Sequence, residues 1–430
     1  MIITKFFFDN LLKDLLKKSL KPFIIKILIT IVNIYLSIIL TNYFLNEEDF
    51  GLLNISIKIC HFLMILSVFG NKQLLIRDSS NLKLSKSKVD KEFTKSLFIT
   101  LIFSFILIFT FYFFSNFITD IIFQKPNIRP ILLIFLIGIF FQAITTLFSG
   151  YLIGIEKIWQ GTIYEQVLSI FIVFLFLLSS IILDVKLNII EIAYLYLISR
   201  LITFLSLIIF YKSISLNFNF TYKSVVDKIN YSVPFIFNKI STLVFTNLDI
   251  LIIGMTLPLN DIALYSIVSR LALLITFPSQ IIQNSISPKI SKFYSNSSFR
   301  SIKKLVQKTT KLLLMLSILL VLLNIVFGEF ILSFWGEFYT KGYMVLIILS
   351  LGQLINLVFS TTGPLLSMTK NHEYLSKINL YFLPLSLFVM FFSSLFFGLI
   401  GHSFAMLLLI ILINVWKLYY VRLKLNITIF

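Results

Sequence analysis

Cysteine is nearly missing from this chain. Cys60 is the only one among 430 residues, which excludes an intramolecular disulfide and leaves the redox compartment open. Histidine is almost as scarce, at three. No H-E-x-x-H, no paired cysteines and no aspartate cluster accompany these histidines, so neither a metal set nor a cofactor is expected. The G-x-x-x-x-G-K-[ST] loop needed to cradle nucleotide phosphates is missing, as is a serine nucleophile elbow. Charge is the third shortage. Only 13% of residues are Asp, Glu, Lys or Arg, about half the ~25% of ordinary soluble domains.

Apolar residues fill the gap, at 58% of the chain with a mean hydropathy of +0.97. They fall into blocks of a length that crosses a ~30 Å hydrocarbon core as helices. Twelve spans are expected: 23–45, 51–70, 96–117, 131–154, 163–183, 189–211, 231–257, 263–287, 312–332, 343–365, 378–399 and 404–420. The net charge of +18 raises the question of nucleic acid, but its placement answers for a membrane. With the N-terminus inside, 28 of the 37 lysines and arginines lie on the cytoplasmic side, 4 on the other and 5 within spans. That asymmetry is the positive-inside signature, so both termini are expected in the cytoplasm and no nucleic-acid partner is expected.

The fold class expected is therefore an all-α integral membrane protein of two six-helix bundles. A cytoplasmic segment 1–22 precedes a first bundle over 23–211. A linker, 212–230, leads to a second bundle, 231–420, and a tail, 421–430. Segment 1–22 sets Leu11, Leu12, Leu15 and Leu16 against Lys13, Lys17 and Lys18 and ends at Pro22, the pattern of an amphipathic helix on the inner leaflet; a basic tail is the alternative. It lacks the compact apolar core and small-residue cleavage site of a removable signal peptide. The longest outer connection, residues 118–130, is too short for a catalytic domain, so transport rather than an enzymatic reaction is expected.

Charges inside the spans carry the functional reading. Lys58 sits mid-way along "GLLNISIKICHFLMILSVFG", where insertion costs about 2.5–3.5 kcal/mol. Its context recurs: "EDFGLLNISIK" at 48–58 aligns with "NDIALYSIVSR" at 260–270, setting Asp49 on Asp261 and Lys58 on Arg270. Lys26 and Lys239 precede the two segments at similar distances. An even number of spans per half makes the repeat parallel, an arrangement with a cavity between bundles. Intramembrane charges face protein or water-filled space, so Lys26, Lys58, Lys239 and Arg270 are candidate walls of a cationic cavity. Snorkelling to the headgroups is the alternative, strongest for Lys26. Arg200 is a substrate contact or one half of an ion pair. Asp249, a lone acid in the seventh span, either balances a nearby cation or binds a coupling ion. Cations in the spans (Lys26, Lys58, Arg200, Lys239, Arg270) outnumber acids (Glu191, Asp249, Glu329, with Glu165 at a span edge).

The same residues carry a resemblance. "LTNYFLNEEDFGLLNISIKICHFLMILSVFGNKQLLIRD" resembles the first hairpin of the Wzx-like polysaccharide repeat-unit flippases, with Asn46 where glycine is usual. "SVPFIFNKISTLVFTNLDILIIG", "GYLIGIEKIWQ", "TTGPLLSMTKNHEY" and "FFGLIGHSFAM" fit later blocks of that family, His402 replacing a small residue. The resemblance implies the multidrug/oligosaccharidyl-lipid/polysaccharide (MOP) exporter fold in the bacterial plasma (inner) membrane. It implies transfer of undecaprenyl-diphosphate-linked oligosaccharides to the outer leaflet for O-antigen, capsule or similar polymers. Membrane lipids, and the polysaccharide polymerase with its chain-length machinery, would be the partners. In related peptidoglycan-precursor flippases, basic residues of the first, second and eighth spans line the cavity, which here points to Lys26, Lys58 and Arg270. A multidrug or cation exporter of the same fold is the rival, and it would want acids in its cavity.

Overall fold

The computed structural model describes residues 10–79, 86–211, 216, 219–243, 248–369 and 371–429. Among these the chain is helical, without strands. Residues 1–9 of the expected amphipathic segment lie outside them. From Asn10 one helix, α1 (Asn10–Ile39), runs straight through position 22, where the sequence reading had it stop. A proline removes one backbone hydrogen bond, and in an apolar medium the remaining helical bonds are retained because nothing else can satisfy those groups.

Two compact units divide the chain. One holds Leu20–Met255, the other Thr256–Phe430 with Met1–Ser19. In the first, α2 (Glu47–Val68) opens on Asn46, whose side chain accepts from Asp49 N at 2.7 Å. The departure from the family's glycine is thus a helix cap, reinforced by Glu47, Glu48 and Asp49 at the positive end of the helix dipole. Then come α3 (Asn71–Ser79), α4 (Lys86–Phe113), α5 (Ile128–Gly154), α6 (Ile158–Ile182) and α7 (Ile189–Phe210). Next are α8 (Tyr222–Leu243) and α9 (Asp249–Thr256). The central helices are α2 and α5, which pack on each other; α5 also meets α3, α4 and α7. Their apolar stretches are 72% buried against 22% in α4, whose Phe105, Phe109, Tyr112 and Phe113 stand exposed as a lipid-facing row would. Glu191, counted above among intramembrane acids, is instead half of a capping box: it accepts from Asn188 N at 2.8 Å while Asn188 accepts from Glu191 N at 2.9 Å.

The second unit contains α10 (Leu259–Leu274), α11 (Phe277–Ser295), α12 (Phe299–Ser333), α13 (Tyr343–Val358, extended by Thr362–Met368) and α14 (His372–Leu425). The expected eighth span is broken after Leu274, and α11 restarts with Pro278 in its first turn. On its described residues the seventh is covered by α8 and α9. The long α14 is a hairpin. Gly398 departs from helical geometry at φ 61°, ψ −153°, a conformation open to glycine. A Cβ on Gly401 would lie 2.7 Å from the Ser393 carbonyl oxygen, whereas eight residues of straight helix span about 12 Å. Ring pairs Phe382–Trp416 (6.4 Å) and Tyr374–Tyr420 (4.8 Å) run antiparallel down its arms. Among the described residues nine helices are long and apolar enough to cross a membrane. Counting the hairpin as two and adding the seventh and eighth spans completes the expected twelve.

Candidate functional site

A single cavity of the first unit gathers charge from several helices. The chain reaches it in order. On α2, His61, Met64, Ile65 and Val68 recur at the three- and four-residue spacing of one helix face, and all four line it. Lys58, half-buried, lies one turn earlier on that face. Past the turn at Phe69 (φ 48°) and Gly70, α3 delivers Lys72 and Gln73. Thr146 comes from α5, Glu165 from α6 and Lys239 from α8. The space measures about 80 Å³, enough for several waters.

Why α3 reaches so deep is read from Gly150 on α5. A Cβ there would sit 2.9 Å from Lys72 Cγ and 3.0 Å from its carbonyl oxygen, so only glycine lets the two backbones cross this closely. The crossing aims the Lys72 ammonium at Glu165. Nζ lies 2.5 Å from Oε1, and Ser149 Oγ donates to Oε2 at 2.9 Å. Lys26 on α1 and Lys239 on α8 are both near enough to feel the Glu165 and Lys72 charges. Of the three lysines, Lys72 is paired with the Glu165 carboxylate and Lys239 lines the same cavity.

Two of these groups escaped the sequence reading. Lys72 lies just past the expected span 51–70, among the cytoplasmic loop cations, and Glu165 lies at a span edge. Their pairing spans 93 positions, which no local pattern records. The expected cations fall differently. Lys239 lines the cavity, whereas Lys26, half-buried on α1, is not among its lining residues. Arg200 does not line the cavity: on α7, 8% exposed, its guanidinium lies 5.4 Å over the Phe135 ring and presses on Gly138 of α5. Asp249 is buried at the first turn of α9, where a carboxylate suits the helix dipole. Arg270, half-buried, lies on α10 of the second unit.

A second charged cluster ties α8 down. Lys228 Nζ donates to Glu92 Oε2 at 2.7 Å and to the Glu92 carbonyl at 3.0 Å, with Asp78 Oδ2 at 3.8 Å. Glu92 also pairs with Lys95, and the Tyr151 hydroxyl donates to Asp90 at 2.9 Å. Burial pushes the Lys228 ammonium below the usual lysine range, and the Glu92 charge partly restores it. At the opposite end of the unit, Lys125 Nζ donates to the Gly254 carbonyl at 2.7 Å, near the C-terminus of α9.

Comparisons with known proteins agree with this architecture. The profile of the polysaccharide biosynthesis protein family matches residues 15–294, and that of the MatE family residues 234–389. No curated protein sequence was found to match. Among solved structures, an inward-facing multidrug resistance MATE family transporter of the MOP superfamily is similar at 13% identity and a TM-score of 0.79, over 93% of this chain and 94% of that one. The lipid II flippase MurJ, in its inward closed conformation, is similar at 18% identity and a TM-score of 0.76, over 93% and 87%. A MOP superfamily transporter from Pyrococcus furiosus, described as having a binding pocket of reverse polarity, is similar at 14% identity and a TM-score of 0.66, over 96% of each chain. These likenesses establish the MOP fold. Matched over residues 15–294, well over half its length, the chain belongs to the polysaccharide biosynthesis protein family.

Proposed function

We propose that this protein is a flippase that carries lipid-diphosphate-linked oligosaccharide repeat units from the cytoplasmic to the outer leaflet of a bacterial plasma membrane, supplying surface polysaccharide assembly. Its termini would be cytoplasmic, and the polymerase with its chain-length machinery would receive the product. The observation that carries the reading is the cation excess of the cavity: Lys72 and Lys239 line it with the carboxylate of Glu165, and Lys26 on α1 is near enough to feel the same charges. A diphosphate brings roughly two negative charges into a low-dielectric space. One cation about 4 Å from a phosphate contributes on the order of 4 kcal/mol at an effective dielectric near 20. Several lysines offset much of the desolvation cost, and as point charges they let go more readily than a bidentate arginine. On the sequence repeat, Lys58 and Arg270 are proposed as further phosphate contacts, one from each half.

The likeness to a multidrug transporter favours the rival reading as far as fold goes. Charge tells against it, since a cationic drug would meet two lining lysines for one acid. The test is loss of the gene product in a host with no second flippase. Lipid-linked repeat units should accumulate on the cytoplasmic leaflet and the surface polymer should disappear. Normal polymer together with raised sensitivity to cationic drugs would replace this reading with the exporter.

A further inference from the structure

We infer that Glu165 is a built-in surrogate anion, holding Lys72 while the cavity is empty of substrate and yielding it to an incoming phosphate. The inference rests on the phosphate-binding reading above and adds the residue that sets the threshold for entry. Its ground is geometry. Both carboxylate oxygens are engaged, Oε1 by Lys72 at 2.5 Å and Oε2 by Ser149 at 2.9 Å, an arrangement a phosphate's oxygens would reproduce. Glu165 sits in a π-helical stretch, Ile163–Val167, inside α6. Such widened turns re-aim side chains and concentrate at functional sites. Just before it, Gly161 lets α6 close on α5: a Cβ there would lie 2.9 Å from the Ser149 carbonyl oxygen.

A comparison within the same unit separates an exchangeable pair from a fixed one. Lys228 keeps 5% of its side chain exposed and its partner Glu92 27%, and neither lines the cavity, so that pair is a fastening between helices. Lys72 and Glu165 each keep 18%, on the wall of a cavity. The pair is reachable, and the anion that reaches it must outcompete a carboxylate already in place. A single weak charge fails to do so, whereas a diphosphate that also engages Lys26 and Lys239 gains two further cations in exchange. Glu165 thereby selects for polyvalent phosphate and against small monovalent anions.

The test is binding of inorganic pyrophosphate to the full-length protein in nanodiscs, by calorimetry, in wild type, Glu165→Gln, Ser149→Ala and Glu165→Gln with Lys72→Gln. Glu165→Gln should bind about fivefold more tightly than wild type, the change expected for removing one partly exposed ionic competitor. Ser149→Ala, which only loosens the carboxylate, should tighten binding by a smaller factor and covers the case in which Glu165→Gln fails to fold. Adding Lys72→Gln should abolish the gain. Equal pyrophosphate affinity in wild type, Glu165→Gln and Ser149→Ala would overturn the surrogate role while leaving the phosphate site intact. Absence of binding in all four would overturn both.

Discussion

Replacing Lys228 by methionine keeps the apolar stem and removes the ammonium. The structure sets what is lost: two hydrogen bonds to Glu92, at 2.7 and 3.0 Å, and a longer approach to Asp78 at 3.8 Å. Breaking a fully buried pair by removing one partner costs about 3–5 kcal/mol, because the other charge is stranded. Glu92 is 27% exposed and keeps Lys95, so it is stranded only in part. The expected cost is therefore about 2–3 kcal/mol, the worth of hydrogen bonds to charged groups with the solvent-screened share discounted. Thermal unfolding of the purified protein in one detergent reads this as a lowered midpoint. A double variant, Lys228→Met with Glu92→Leu, should recover much of the loss, since no charge is then left behind. An unchanged midpoint in Lys228→Met would show that this lysine is a solvated loop cation, as its sequence position suggested, and not the fastening of α8.

Other expectations follow from single contacts. Gly150→Val places a branched side chain against the Lys72 backbone carbonyl; it should displace α3, lowering both stability by about 1–3 kcal/mol and pyrophosphate affinity. Ile429→Asp puts a charge into the cluster of Ile286, Ile290, Leu366 and Val421, where Ile429 is 1% exposed, and should sharply reduce protein abundance as judged by fluorescence size-exclusion profiles. Arg270→Lys should retain part of the transport that Arg270→Ala loses, because charge survives without the bidentate grip; equal activity in both would remove Arg270 from the phosphate path. A reporter active only outside the cytoplasm should be silent when fused after Lys88 or Arg300, and a strong signal at either position would invert the topology.

The broad fold was legible because a membrane leaves the backbone few choices: apolar blocks of spanning length become helices, and lysine placement orders them. Local signals were legible too. Asn188 followed by Glu191 is the spacing of a capping box, and Asn46 before three acids is a helix start. What the chain did not disclose lies in long-range geometry. Composition cannot tell which face of α7 Arg200 occupies, and it packs on Phe135 instead of lining the cavity. Lys72 and Lys228 resemble ordinary loop lysines until folding brings carboxylates from 93 and 136 positions away. The break at Ile275 escaped because the apolar run continues across it, although Pro278 was a visible mark.

The central claim is that the cations around Glu165 bind the diphosphate of a lipid carrier as it crosses. Purified protein reconstituted into vesicles, with a fluorescent undecaprenyl-diphosphate-linked oligosaccharide in the inner and outer leaflets, measures this directly through quenching by a membrane-impermeant reductant. Wild type should make the whole lipid pool accessible to the reductant, and Lys239→Ala and Lys72→Ala, folded and inserted at normal levels, should leave the inner pool protected. Equal flipping by wild type and both variants would contradict the account.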